Sequence, residues 1–250
     1  MIYVTGDIHG DPRRLSSISF PEQKEMTKDD YVIILGDFGL IWDYVGESGS
    51  ERYWLDWLDK KPFTTLFLDG NHECFDRLDE YPVEKWNGGN VSFIRNSVIH
   101  LKRGQVFKLQ QNKVFTFGGA SSHDIRDGVL DPIKDAKLIK QWNYDYTKLF
   151  RVNHRSWWER ELPSEKEMAE GVYNLEKKNW KVDYILTHSP AASVLALLGN
   201  GSYEQDILTK YLEDIRSKTE YKKMFSGHMH MDRAINDKDI LLYEQIVRIA

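Results

Sequence analysis

Five short apolar runs in the sequence each end abruptly in a cluster of polar residues. In chain order these stretches are IYVTGDIHG, YVIILGDFG, TTLFLDGNHE, DYILTHSP and KKMFSGHMH. The alternation of apolar and polar residues disappears from a strand when both of its faces are covered. Each run is therefore typical of a buried strand, and the set requires a layered fold in which a sheet is covered on both sides.

The segments between these runs favour helices. Helix-forming compositions occur at Glu51 to Lys60, Ser164 to Lys178 and Tyr203 to Lys218. Ser164 and Glu167 also have the spacing of a capping box, which marks a helix start. Strands that alternate with helices indicate an α/β architecture, in which ligands gather outside the carboxyl ends of the strands. All five polar clusters are expected at such ends.

The middle of the chain has a different pattern. The runs VSFIRN, SVIHLKRG, QVFKLQQ and KVFTFGG are short, follow one another closely and are separated by turn residues, which favours antiparallel strands. From about Ser121 to Pro163 the pattern loosens and aromatic residues become frequent. We interpret residues 121–163 as an insertion that passes over the edge of the sheet.

Size, charge and cysteine content narrow the class of protein. We interpret residues 1–250 as a single domain with an insertion. A net charge of −5 gives no reason to expect a long nucleic acid as partner. Cys74 is the single cysteine, so no internal disulfide is possible and a cytoplasmic location is expected. The apolar runs are too short for a signal peptide or a membrane span, and the oligomeric state is left open.

Eight polar residues lie at the ends of the predicted strands. They are Asp7, His9, Asp37, Asn71, His72, His188, His228 and His230. A single histidine at a strand end is more often structural than a metal ligand, but five of the eight histidines in the chain share this placement. Carboxylate, amide and imidazole ligands together suit Mn²⁺, Fe²⁺ or Zn²⁺, and the lack of thiolates in the set indicates a catalytic site.

The motifs Asp-x-His, Gly-Asp, Gly-Asn-His-Glu, Thr-His and Gly-His-x-His follow one another between Gly6 and His230. In this order they resemble the motifs of the calcineurin-like metallophosphoesterase superfamily. The resemblance implies an α/β fold of the αββα sandwich type, with two mixed β-sheets flanked by helices, and two divalent metal ions, with Mn²⁺ favoured. It assigns one ion to Asp7, His9 and His230, the other to Asn71, His188 and His228, and a bridging role to Asp37.

The resemblance also implies metal-dependent hydrolysis of a phosphoester. Two ions about 3.5–4 Å apart lower the pKa of a bridging water, present it as hydroxide and clamp the phosphoryl oxygens. His72 would not bind metal but would lie near the leaving group, as a general acid or a transition-state stabiliser. Asp37 and His72 are thus the predicted catalytic residues. We expect the substrate, a monoester or a diester, to be a small phosphorylated molecule or a nucleotide.

Two alternatives arise within the same superfamily. The second motif of its protein phosphatases usually continues as Gly-Asp-x-Val-Asp-Arg-Gly, whereas this chain reads GDFGLIWDY and lacks the arginine that grips phosphate. This difference counts against a Ser/Thr-type protein phosphatase. A non-catalytic binding scaffold is the other alternative. Loss of metal should appear as substituted ligands, and each expected ligand type is present here.

Four charged residues near the motifs are further candidates. The segment GGASSHDIRDG follows a strand-like run, so His123 or Arg126 could contact the substrate phosphate; the alternative is an ordinary polar loop. Arg77 is a weaker candidate for the same contact. Glu73 is expected either to accept an imidazole N–H or to be a plain loop glutamate.

The aromatic insertion suggests a nucleotide-binding wall. Bases stack on tryptophan and tyrosine, and Trp157, Trp158 or Tyr146 could provide that surface. Aromatic residues at this density more often fill a core or form an oligomer contact, and both interpretations stay open at the level of sequence.

Overall fold

Two mixed β-sheets pack face to face in the computed structural model of the protein, which describes residues 1–199 and 203–250. Within these residues the first sheet contains β1 (Ile2–Thr5), β2 (Tyr31–Ile34), β3 (Thr64–Phe67), β4 (Glu84–Trp86), β5 (Gly89–Arg95), β6 (Val98–Leu101) and β15 (Ile246–Arg248). Their order is β15-β1-β2-β3-β6-β5-β4. The central strands β1, β2, β3 and β6 are parallel, and antiparallel strands complete both edges.

The second sheet is also mainly parallel. Over the same described ranges it contains β7 (Gln105–Leu109), β8 (Asn112–Phe117), β11 (Tyr184–Thr187), β12 (Lys223–Ser226), β13 (Arg233–Ala234) and β14 (Asp239–Leu241). Their order is β13-β14-β12-β11-β8-β7. Strands β8, β11, β12 and β14 run parallel, whereas β7 and β13 are antiparallel edges.

Helices cover the outer face of each sheet. They are α1 (Gly49–Asp59) and α2 (Phe75–Leu78) on the first sheet and α4 (Glu165–Glu176), α5 (Ala192–Gly199) and α6 (Ile207–Lys218) on the second. Helix α3 (Ala136–Trp142) belongs to the insertion, and short 3₁₀ helices lie at Pro12–Leu15, Pro21–Glu25 and Glu159–Glu161. The predicted αββα sandwich is confirmed. Among residues 1–199 and 203–250, no helix is long and apolar enough to cross a bilayer.

Alternate residues of the same strands enter different cores, which explains the continuous apolar runs. Ile33 and Leu66 of the first sheet share a buried cluster with Leu186 of the second sheet, so this cluster fills the space between the sheets. Their neighbours Ile34 and Phe67 belong instead to the cluster under α1. Both faces of the sheets are therefore buried, as the sequence predicts.

The predicted helices occur, with small differences at their ends. The capping box of Ser164 and Glu167 forms at the start of α4. The helix predicted from Tyr203 begins at Ile207 instead, because the Asp206 side chain accepts the backbone N–H of Thr209 and caps it there.

The middle block of strands divides between the two sheets. Strands β5 and β6 form one antiparallel hairpin and β7 and β8 form another. The chain crosses from the first sheet to the second between Leu101 and Gln105. The second strand of each hairpin then pairs in parallel with a strand distant in sequence, β3 for β6 and β11 for β8. The antiparallel prediction is thus right for the hairpins and wrong for the block as a whole.

The insertion forms a small substructure of its own. Strand β9 (Gly128–Leu130) pairs in parallel with β10 (Phe150–Val152), and α3 lies between them in the chain. Leu130, Ile139 and Val152 form its buried cluster. This substructure places Arg151, from β10, beside the strand ends that carry the polar residues.

Candidate metal centre

The carboxyl ends of five strands, three from one sheet and two from the other, meet at one edge of the sandwich. Among the described residues, two groups of side chains bring their ligand atoms within 4.8 Å of one another. The groups are Asp7, His9, Asp37 and His230, and Asp37, His188 and His228. Asp37 belongs to both groups, so it occupies the position of a bridging ligand.

The first group directs four side chains at one volume. His9 Nε2 and His230 Nε2 are 2.9 Å apart, and His230 Nε2 lies 3.2 Å from an oxygen of Asp7. His9 Nε2 is 3.9 Å from an oxygen of Asp7 and 3.9 Å from one of Asp37. Imidazole nitrogens this close to each other and to two buried carboxylates form a donor set suited to a divalent ion.

The second group contains a histidine whose tautomer is fixed. His188 Nδ1 lies 2.8 Å from the carbonyl oxygen of Leu35, which can only accept, so Nδ1 carries the proton. His188 Nε2 is buried, lies 3.4 Å from Asp37 Oδ1 and has no hydrogen-bond partner in the described part of the chain. Burial also holds the pKa of His228 well below its usual value, which keeps this ring neutral. Neutral imidazoles with a free nitrogen are the form that binds metal.

Asn71 supplies a second unpartnered atom. Its side-chain nitrogen is 3.4 Å from the Ser122 hydroxyl, and this contact leaves the amide oxygen as the group available to the site. That oxygen is buried, and none of the described residues is its hydrogen-bond partner. A buried polar atom without a partner is rare in native proteins, so Asn71 Oδ1 and His188 Nε2 together fit a metal ion as the missing partner.

The backbone around the site is strained. His9, Asp37, His228 and His230 adopt left-handed φ values of 44°, 41°, 65° and 46°. Each such conformation costs about 1–3 kcal/mol in a residue other than glycine. Four of the seven predicted ligands therefore depend on the surrounding fold to hold them in position.

Two glycines allow the ligand loops to approach one another. Gly36 has a φ of 101°, and a Cβ added there would overlap the His188 ring. A Cβ at Gly70 would overlap both the carboxylate and the backbone nitrogen of Asp37. The Gly-Asp and Gly-Asn sequences at these loops are thus required by packing as well as by turn geometry.

Asp69 supports the loop that carries Asn71. Its carboxylate contacts His100 Nε2 at 3.0 Å and Arg103 Nε at 2.7 Å, and its backbone oxygen accepts the N–H of Gly119 at 2.8 Å. Burial opposes ionisation, but the Arg103 charge and the His100 hydrogen bond together lower the pKa of Asp69 below its usual value. The sequence prediction missed this residue, although it ends the third apolar run.

Glu73 is not a partner of an imidazole. Its carboxylate accepts the backbone N–H groups of Phe38 at 2.7 Å and Gly39 at 3.3 Å, and its side chain is buried. Burial and the nearby Asp37 charge hold the pKa of Glu73 well above its usual range. Glu73 therefore positions the backbone just after Asp37, which neither sequence interpretation anticipated.

His72 lies at the margin of the two groups. Its backbone N–H donates to Asp37 Oδ1 at 2.8 Å, and its ring stacks on Trp42 with a centroid distance of 5.4 Å. Arg151 Nη2 lies 3.3 Å from His72 Nε2. Burial lowers the pKa of His72 to about 4, and the Arg151 charge adds to this effect against the attraction of Asp37. Arg151 can only donate, so the Nε2 atom of His72 faces it as an acceptor.

Arg151 is the basic residue beside His72, and it was not predicted. Its guanidinium forms a two-pronged contact with Asp124 at 2.8–3.0 Å and is largely buried. The predicted Arg126 is exposed and pairs with Asp127 and the Thr147 carbonyl; no described contact joins it to the two groups. A signal existed in the sequence, because Arg151 interrupts the apolar run of β10.

The other two residues predicted to contact the phosphate differ in their distance from the site. His123 is near the site, with its ring 5.7 Å from that of His228. Arg77 is committed elsewhere, since it pairs with the carboxylate of Glu51 at 3.0 Å. The Glu51 carboxylate also accepts the backbone N–H of Trp42, so this pair supports the aromatic ring that stacks on His72.

The three aromatic residues predicted to form a base-binding wall differ in their exposure. Trp158 is buried in the core and donates its indole N–H to Asp76 at 2.9 Å. Tyr146 is 99% exposed and has no described ring contact. Only Trp157 combines partial exposure with a position on a cavity.

Replacement of Gly70 by alanine tests the packing of the site. Gly70→Ala should lower the free energy of unfolding by about 1–3 kcal/mol, because the new Cβ has no space beside Asp37. Gly49→Ala is the matched control: no atom lies within 4 Å of its added Cβ, and alanine is the better helix former. Urea unfolding of both variants should show opposite signs. Equal effects would show that the close approach at Gly70 is unimportant.

Comparison with known proteins agrees with this geometry. Lariat debranching enzyme A of Xenopus laevis is 28% identical over 144 residues, which is 51% of this chain and 25% of that protein. Lariat debranching enzyme of Schizosaccharomyces pombe is 34% identical over 89 residues, or 31% of this chain and 19% of that protein. That of Danio rerio is 27% identical over 140 residues, or 51% of this chain and 23% of that protein.

These matches therefore span about a quarter or less of the length of the curated relatives. The family model is more extensive. The model for calcineurin-like phosphoesterases matches residues 1–232, which include both groups of side chains at the strand ends. The chain belongs to the calcineurin-like phosphoesterase family.

Proposed function

We propose that this protein hydrolyses a phosphoester with the help of two divalent metal ions. The observation that carries the proposal is the meeting of six aspartate and histidine side chains at one sheet edge, where His188 and Asn71 each keep a buried atom that no described residue partners. Asp7, His9 and His230 would hold one ion, Asn71, His188 and His228 the other, and Asp37 both. We propose Mn²⁺ as the preferred ion, because the donors are mixed oxygen and imidazole nitrogen.

The ions would supply Lewis acidity, which lowers the pKa of water and neutralises charge on the phosphoryl group. The residues of the chain hold and orient the donors. Asp7 accepts the backbone N–H of His228 at 3.0 Å and so ties the end of β12 to the end of β1. Leu35 fixes the His188 tautomer, and Glu73 holds the turn after Asp37. These contacts reduce the reorganisation that substrate binding would otherwise require.

His72 and Arg151 are placed to act on the phosphate and the leaving group. Arg151 is held by Asp124 and the Ser156 carbonyl, and its Nη2 atom, which donates to Asp124 at 2.8 Å, also lies 3.3 Å from His72 Nε2. A fixed guanidinium at this position would stabilise phosphoryl oxygens by charge-assisted hydrogen bonds. Arg151 thus takes the place of the arginine that the second motif lacks. We propose that both side chains stabilise the transition state and that His72 is the closer of the two to the metal ligands.

A small phosphorylated molecule or a nucleotide is the proposed substrate class. Two ions would bring a charge of +4 against −2 from Asp7 and Asp37, so about +2 remains to attract a phosphoryl group. The net charge of the chain is −5, which weighs against a long nucleic acid. The similarity to lariat debranching enzymes covers too little of those proteins to carry their substrate over. The cytoplasmic location stays a prediction.

Different observations count against the two alternatives, the binding scaffold and the protein phosphatase. A binding scaffold requires neither the strained ligand backbone nor the free buried atoms of Asn71 and His188. A protein phosphatase would prefer phosphopeptides, and its phosphate-gripping arginine would come from the second motif rather than from an insertion.

Hydrolysis of two generic substrates tests the proposal. With Mn²⁺, the protein should cleave p-nitrophenyl phosphate, bis-p-nitrophenyl phosphate or both, and Asp37→Asn should abolish the activity because both ions lose a shared ligand. Asp29→Asn removes an exposed carboxylate and should leave the rate unchanged. Absence of activity together with absence of bound metal would favour the scaffold.

Replacement of His72 separates metal binding from turnover. His72→Ala should keep both ions and lower kcat by about 10²–10⁴-fold, since His72 is a neighbour of the ligands and not one of them. Elemental analysis gives the metal content and steady-state kinetics the rate. Loss of an ion from the variant would show that the assigned role is wrong.

Arg151 and Arg126 form a matched pair for the phosphate contact. Arg151→Lys should lower kcat/KM by about 10-fold or more, because lysine cannot maintain the two-pronged contact with Asp124 while it reaches His72. Arg126→Lys should leave kcat/KM unchanged, since that side chain is exposed and contacts Asp127 and Thr147 rather than the predicted metal ligands. If steady-state kinetics instead show a larger loss of kcat/KM for Arg126→Lys than for Arg151→Lys, Arg126 is the phosphate contact, as the sequence analysis predicts.

A further inference from the structure

A cavity of about 550 Å³ lies beside the metal centre and has no role in the chemistry described so far. Its walls include Ser122, Ile125, Trp157, Glu161 and Ile207. The volume falls in the range of about 300–1,000 Å³ that is typical of small-molecule sites. The cavity is thus large enough for a substantial organic group.

Two contacts connect this cavity to the proposed site. Ser122 lines the cavity, and its hydroxyl lies 3.4 Å from the side-chain nitrogen of Asn71. Trp158 also lines it and packs against Trp42, the ring that stacks on His72. A substrate with its phosphate at the metal centre could therefore place its non-phosphate part in the cavity.

Glu161 is one of the residues that line the cavity, and it carries an unused acceptor. Its side chain is buried, with 2% of the residue exposed. One carboxylate oxygen, Oε2, accepts the backbone N–H of Ser122 at 3.1 Å, whereas the other, Oε1, is buried and has no hydrogen-bond partner among residues 1–199 and 203–250. Burial raises the pKa of Glu161 to about 7. An N–H donor from a ligand would satisfy Oε1 and favour the ionised carboxylate.

The apolar part of the lining favours a flat ligand. Trp157 offers a partly exposed indole, and Ile125 and Ile207 add apolar surface. Aromatic heterocycles stack on such residues, and a two-ring base covers more of the indole than a one-ring base does. A hydrocarbon chain would fill the cavity but leave Glu161 without a partner, and an acidic group would be repelled by it.

We propose that the cavity binds a purine base that carries an exocyclic amino group, with the amino group donating to Glu161 Oε1. The substrate would then be a purine nucleoside phosphoester. The part of this inference that concerns the phosphate rests on the proposed function, whereas the binding of the base stands on the cavity alone. Trp157 would supply the stacking surface, and Glu161 would determine specificity for the base.

Pairs of nucleosides that differ by one amino group test the proposal. Calorimetry on the Mn²⁺-loaded protein compares adenosine with purine riboside and guanosine with inosine; none of these carries a phosphate. In at least one pair the amino-bearing nucleoside should bind about 10-fold more tightly or better, because its partner leaves Glu161 unpaired.

Glu161→Gln should remove this preference. The backbone N–H of Ser122 requires an acceptor, so the new amide oxygen stays on that side and the NH₂ group faces the cavity. A donor then meets the amino group of the ligand, and the difference within the pair should fall below about twofold. Glu159→Gln removes the same charge from an exposed side chain of the same cavity and should keep the difference.

Two results would overturn the proposal. One is equal affinity within both nucleoside pairs for the unmodified protein, a result that needs no variant to fold. The other is a preference that Glu161→Gln leaves intact. Hydrolysis of the nitrophenyl esters is measured separately. If the esters are not cleaved while the nucleoside preference is present, the proposed function fails and the base site stands. If the esters are cleaved but neither nucleoside pair shows a preference, the base site fails and the proposed function stands.

Discussion

Asp7 and Asp37 impose the condition on which the rest of the site depends, because both carboxylates are buried and their oxygens lie within 4.8 Å of each other. At an effective dielectric constant of 20, two like charges at that distance repel by about 3 kcal/mol, and removal from water adds several kcal/mol for each. Burial lowers the pKa of His9, His72 and His228, so these three imidazoles supply lone pairs more readily than positive charge. Bound cations resolve this conflict, which is why we place metal at the centre of the account.

The fold bears the strain that this arrangement creates. Four of the predicted ligands have left-handed backbone conformations, and Gly36 and Gly70 leave no room for a Cβ. Buried carboxylates at Asp69 and Glu73 then fix the loops through backbone and arginine contacts rather than through the ligands themselves. The strand ends are rigid because their runs are buried on both faces, so the sandwich can hold a costly local geometry.

The parts of the site that the sequence predicts are those set by local order along the chain. A buried strand that ends in Gly-Asp or Gly-Asn places its ligand at the sheet edge wherever the strand sits in the sheet, so Asp37 and Asn71 are identifiable from sequence alone. The same reasoning gives the α/β class and the helices α1 and α4, whereas the sandwich follows from the family resemblance. The start of α6 and the division of the hairpins between sheets depend on a side-chain cap and on long-range pairing, and the prediction was wrong there.

The surroundings of the site are set by tertiary packing, and sequence reasoning was weakest there. Arg151 and Asp124 lie far apart in the chain and meet only because β9 and β10 pair. Trp42 reaches His72 because Glu51 holds the backbone of its loop. The insertion therefore provides both the cation beside His72 and most of the lining of the neighbouring cavity, so the proposed metal centre is combined with a proposed substrate pocket of separate origin.

The most direct test of the central claim is a crystal structure of the protein grown with Mn²⁺, with anomalous scattering recorded at the manganese edge. The account predicts two peaks with Asp37 between them, one contacted by Asp7, His9 and His230 and the other by Asn71, His188 and His228. A single peak, peaks at other residues, or no peak at this edge of the sandwich would contradict it.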